Sequence, residues 1–166
     1  VLASCQLEEN GSTGREIMQM PVLFLLHQED EMRKILMFLA TDGAFLYENH
    51  HCSIVASEYV STFGGTGSVT LCNDVVELKF WLDRDRLCMQ LRASDSKSAK
   101  SWFSIDILRQ LVTDQIIGTS EMDEENLDFL RAKFSDLQAL FDSSNVSATE
   151  AACRKLKQQR TKRMFG

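Results

Sequence analysis

Three histidines, His27, His50 and His51, and five cysteines at 5, 52, 72, 88 and 153 are the residues of this chain best suited to nucleophilic or metal chemistry. The densest group is His50-His51-Cys52, where an imidazole could ligate a metal or activate a neighbouring thiol. Adjacent residues on an extended chain point to opposite faces, so this pair does not easily share one site. The cysteines are odd in number, scattered and without a Cys-x-x-Cys pair. They suggest neither a disulfide framework nor a zinc centre, and they favour a reducing compartment. No Gly-x-Ser-x-Gly elbow, His-Glu-x-x-His helix or dinucleotide glycine fingerprint is present. Gly64-Gly-Thr-Gly-Ser68 lacks the lysine of a phosphate-binding loop, and Trp81 and Trp102 lack the interleaved Arg and Lys of a base-stacking platform. The expectation is a protein that is not an enzyme and needs no cofactor or metal.

Charge is the stronger signal. The chain has 166 residues, 24 acidic against 18 basic, and a formal net charge of −6. Glu121–Asp142 holds seven acidic and two basic residues, whereas Arg154–Arg163 holds six basic residues and no acid. Without those six the formal charge would be −12, so a basic arm extends from an acidic body. Arg154, Lys155, Lys157 and Arg160 are candidate phosphate contacts, and the body's repulsion predicts weak, salt-sensitive DNA binding. The arm closes on Lys162-Arg163-Met164-Phe165. A purely electrostatic tail has no need of Met164 and Phe165, which could anchor it in a groove of a partner protein.

The length fits one ordinary domain, of about 100 to 150 residues, with an appended helix. The longest apolar run, Pro21–Leu26, falls far short of the roughly 20 residues of a membrane span, and the N-terminus does not read as a signal peptide. Short apolar or alternating runs at 21–26, 34–40, 44–48, 69–72, 75–82, 86–93 and 101–107 predict strands. Asp42-Gly43 and Asp83-Arg84-Asp85 predict hairpin turns between them. Ser53–Phe63, with Ile54, Val55, Tyr59 and Phe63 behind a serine, predicts a short inserted helix. From Leu108 the period turns helical up to Gly118. A second helix is expected from Ser120, in which Leu127, Leu130, Phe134, Leu137 and Phe141 recur at intervals of 3, 4, 3 and 4. Such a two-heptad seam must be covered either by a second chain or by the chain's own strands. Ser147-Ala-Thr-Glu150 predicts the capping box of a third helix.

This order of elements resembles the end-joining scaffold superfamily that includes XLF and PAXX. Lys34–Glu48 resembles that family's strand, Thr-Asp turn and aromatic-bearing strand. Val76–Leu91 followed by Trp102–Ile107 resembles its last strands entering the stalk, and Lys162–Phe165 is similar to the basic motif ending in Phe that docks on Ku. The resemblance implies an α+β protein with an antiparallel β-sandwich head (1–117), a coiled-coil stalk (118–145) and a basic tail (146–166). It further implies a nuclear, non-enzymatic scaffold for repair of DNA double-strand breaks. That scaffold would be a homodimer through Leu127, Leu130, Phe134, Leu137 and Phe141, bound to Ku and other end-joining proteins through Lys162, Arg163, Met164 and Phe165. A pleckstrin-homology-like domain, in which Met32–Tyr47 forms the first strand pair and Ala93–Trp102 the last strand entering a helix, is the alternative. A centriolar cartwheel-type scaffold is the third.

Overall fold

The computed structural model describes residues 31–60, 66–116 and 118–165. The apolar run 21–26, His27 and Gly64-Gly65 lie outside the described residues. The chain is mixed α+β. A described helix over 31–40 (α1) and a one-turn helix Phe45–Glu48 (α2) precede four strands, β1 (Ser53–Val60), β2 (Thr66–Cys72), β3 (Val76–Asp83) and β4 (Arg86–Ala93). A 3-10 turn at Ala99–Ser101 and a two-residue strand β5 (Phe103–Ser104) lead into α3 (Ile105–Thr113), α4 (Glu124–Phe141) and α5 (Val146–Phe165). The strands form one antiparallel sheet in sequential order.

The central strands follow the period expected of them. Val76, Leu78, Phe80 and Leu82 are buried on one face of β3, opposite Ala93, Leu91, Met89 and Leu87 of β4. At the β3–β4 turn Arg84 and Asp85 have φ of 52° and 65°, the left-handed pair that a two-residue hairpin of matching twist requires.

Four expectations are corrected. Residues 34–40 are helical, because Met32, Arg33, Lys34, Leu36, Met37 and Ala40 favour helix and a run of apolar residues does not by itself choose a period. Ile35 and Leu39, four apart, are thereby buried, and Phe38 meets the Phe80 ring at 5.6 Å. Ala44–Glu48 is turn and helix, so Asp42-Gly43 joins two helices instead of two strands. There a Cβ on Gly43 would stand 3.1 Å from the Leu39 Cα, a close approach that suits glycine. The expected inserted helix is instead β1, paired with β2 from Ser53↔Cys72 to Val60↔Thr66 around a bulge between Ile54 and Ala56. Its β-branched and aromatic residues suit a pleated surface, and the bulge breaks the alternation that would have revealed it. Of the strand expected at 101–107 only Phe103 and Ser104 pair, against Leu91 and Gln90.

The helices also begin and end elsewhere than expected. Asp114 takes the left-handed cap of α3 at φ 57°, four residues before Gly118. Asp123 caps α4, its Oδ1 accepting from the Asn126 N–H at 2.8 Å. α5 starts at Val146, whose N–H donates to the Asp142 carbonyl, so Ser147–Glu150 lies within the helix and does not form the box.

The heptad seam lies inside this core. Leu130, Phe134 and Leu137 are 0% exposed, Phe141 2% and Leu127 9%. Phe141 stacks beside Phe103 of β5, and Phe134 beside Phe45. One contiguous core contains residues of α1 through α5, so it crosses the boundaries drawn at 117/118 and 145/146.

Candidate functional site

The His50-His51-Cys52 group shows how little reactivity the fold leaves there. His51 has φ 55°, which turns the chain sharply between its neighbours. The His50 ring lies 4.4 Å from that of Phe134, and its pKa is lowered, first by burial, against a hydrogen bond with Gln138 that raises it. Burial pushes the Cys52 thiol up to about 11, while the Asn73 side-chain amide donates to its sulfur at 3.6 Å. A thiol in that state is protonated at neutral pH and is a poor nucleophile. Cys153 is pushed up to about 12 in the same way. Among the described residues no group of three His, Cys, Asp or Glu side chains comes together as a metal site. Trp102 is half-buried beneath the Arg92 guanidinium, 4.4 Å from the ring centre, and Arg92 in turn donates to Glu77 at 2.7 Å. That face of the indole is already covered.

The basic helix is the feature with an open face. α5 is joined to α4 by a tight turn in which Thr149 Oγ1 donates to the Leu140 carbonyl and the Asn145 amide to that of Ala139. These bonds satisfy carbonyls that the end of α4 would otherwise leave unpaired. Thr149, Cys153, Leu156 and Arg160 recur at intervals of 4, 3 and 4 and form the inward stripe. Arg160 ends that stripe by pairing with Asp106, which is 1% exposed in the first turn of α3. The other carboxylate oxygen of Asp106 has no hydrogen-bond partner among the described residues. Arg160 is therefore a structural cation and is removed from the set of phosphate contacts.

Arg154, Lys155, Lys157, Lys162 and Arg163 are exposed on the other faces, although Arg154 is paired with Glu150 one turn earlier. α5 runs to Phe165, and the side chains of Met164 and Phe165 lie outside the described residues. Beside α5, between it and the 3-10 turn, runs a groove of about 680 Å³ lined by Ala99, Lys100, Arg154, Lys157, Thr161 and Lys162. Lys100 carries little signal in the sequence. Its only signal was that Ser96-Lys97-Ser98-Ala99-Lys100-Ser101 sets two lysines among small residues, and the fold is what brings this loop against a helix more than fifty positions later. Compared with protein-family models, with curated proteins and with solved structures, the chain finds no match.

Proposed function

We propose that the chain is a non-enzymatic interaction module that meets an acidic partner through the exposed faces of α5. The observation that carries this reading is the disposition of the six basic residues of 154–163. Five are exposed on α5, whereas Arg160 is used to fix the helix to α3. A basic ridge attached to a body of opposite charge steers association with acidic surfaces and discourages contact elsewhere.

In its sharpest form this reading is the end-joining scaffold of the nucleus, with Lys162 and Arg163 steering, Met164 and Phe165 anchoring the tail on Ku, and direct DNA contact weak. A sandwich head and a stalk dimer belong to that form as well. They call for α4 to exchange its own sheet for a second chain, since its seam is buried in the core. The test is binding of the whole chain to purified Ku over a range of salt. Phe165→Ala is expected to raise the dissociation rate, and Lys162→Ala with Arg163→Ala to slow association. Absence of binding removes Ku as the partner, and unchanged affinity in both variants removes the tail as its anchor.

A further inference from the structure

We propose that the groove between α5 and the Ala99–Ser101 turn is a docking site for a short acidic peptide segment of a partner protein, held by Lys100, Lys157 and Lys162. This goes beyond docking by the helix end, because it needs neither Ku nor residues 164–165.

The groove falls within the roughly 300 to 1,000 Å³ typical of specific binding clefts. Ala99 and Thr161 are among its lining residues, four cations stand around it, and no carboxylate lines it. Arg154 already has Glu150 as partner. Among the described residues Lys100, Lys157 and Lys162 form no ion pair, so like charges are gathered around one cleft with nothing there to offset them. An anionic occupant relieves that repulsion.

Both walls are fixed in advance, which lowers the ordering cost of binding. On one side Ser98 Oγ accepts from the Lys100 N–H at 3.2 Å, and Ser101 is 2% exposed, so the turn that carries Lys100 is capped and anchored. On the other, Arg160 and Asp106 tie down the second half of α5.

Size and charge favour a peptide over nucleic acid. The helix rises about 12 Å from residue 154 to 162, the length of three or four extended residues. A DNA duplex would overrun this cleft and lay its phosphates on a body whose charge without the arm is −12. A short acidic segment is confined to the cations, and an apolar side chain within it finds the surface at Ala99 and Thr161.

The test uses the full chain and a fluorescent peptide of glutamates with one central leucine, with a short DNA duplex as competitor. Lys100→Glu and Lys157→Glu are each expected to weaken peptide binding roughly tenfold. Lys155→Glu makes the same charge change on the same helix away from the groove, and is expected to weaken binding about twofold or less. The proposal is overturned if Lys155→Glu matches Lys157→Glu, since the attraction is then diffuse, or if Lys100→Glu has no effect. It is also overturned if the duplex binds more tightly than the peptide with the same dependence on Lys100. Phe165→Ala is expected to leave peptide binding unchanged, so this site and the Ku reading can fail separately.

Discussion

α4 and α5 contribute to the same core, yet they are held by opposite means. α4 places six large apolar side chains at 0–9% exposure against the sheet and its flanking helices, with no buried charge among them. α5 contributes Thr149 and Cys153 and, in part, Val146 and Leu156 before its inward stripe ends in the Arg160–Asp106 pair. Apolar burial stabilises in proportion to area and is not screened by salt, whereas a buried ion pair gives little net stability but fixes one geometry. α4 therefore belongs to the fold's foundation. α5 is a helix whose outer half is positioned by one polar contact while its remaining cations face outward.

The largest effect should come from α4. Leu130→Asp or Leu137→Asp puts a carboxylate into the apolar core and removes a packed side chain, at a cost of several kcal/mol. Native stability is only about 5 to 15 kcal/mol, so the variant should lose its cooperative thermal transition by circular dichroism. A seam between two chains would give another result. The fold would survive and sedimentation would show only a halved mass, which would restore the stalk.

The effect next in size concerns α5. Arg160→Ala leaves Asp106 buried without its cation, and the cost should be about 2–3 kcal/mol, the partial exposure of Arg160 keeping it below that of a fully buried pair. A lowered urea midpoint would record this. Asp106→Ala added to Arg160→Ala should recover part of the loss, because the uncompensated charge is then gone. In hydrogen exchange the single variant should lose protection in α5 while α4 stays protected. Equal loss in both helices would abolish the distinction between them.

Smaller effects follow from titration. Cys52 and Cys153 are pushed up to about 11 and about 12, so above the ordinary thiol range the folded chain holds protons that the unfolded chain releases. Stability should therefore fall as pH rises from about 9 toward those values. Cys153→Ala, measured by urea unfolding at pH 7 and pH 10, should flatten the decline. An unchanged slope would mean that the α5 thiol is not shielded from solvent.

The smallest effect is at His50. Its pKa is lowered, chiefly by burial, so the unfolded chain binds its proton more readily. Stability should fall slightly as pH drops through and below about 6.5, and His50→Gln should remove this contribution from the urea midpoint between pH 7 and pH 5.5. No difference between the two proteins would show that the ring is still solvated beside Phe134.

The sequence by itself determined the parts whose pattern is local. The alternation of 76–82, the hairpin turn at Asp83-Arg84-Asp85, the 3-4-3-4 spacing of 127–141 and the segregation of positive charge after residue 153 could all be read from neighbours along the chain, and each has its physical counterpart in the fold. Runs such as 34–40 and 53–60 could not be read so. The apolar run of 34–40 suits either period and a bulge hides the alternation of 53–60, so only the partner decides: α1 had a sheet face to cover, whereas β1 had the edge of β2 to pair with. Tertiary structure alone also decided what covers the seam, since a heptad spacing specifies an apolar stripe and not the surface that buries it. It gave Arg160 its partner in the same way, because helical spacing from Thr149 sets that arginine on the inward stripe, whereas Asp106, 54 positions away, reaches it only through the packing of α3. Lys100 is the same case seen from the other side: a cation in a serine-rich loop acquires its place beside α5 only when distant segments pack together.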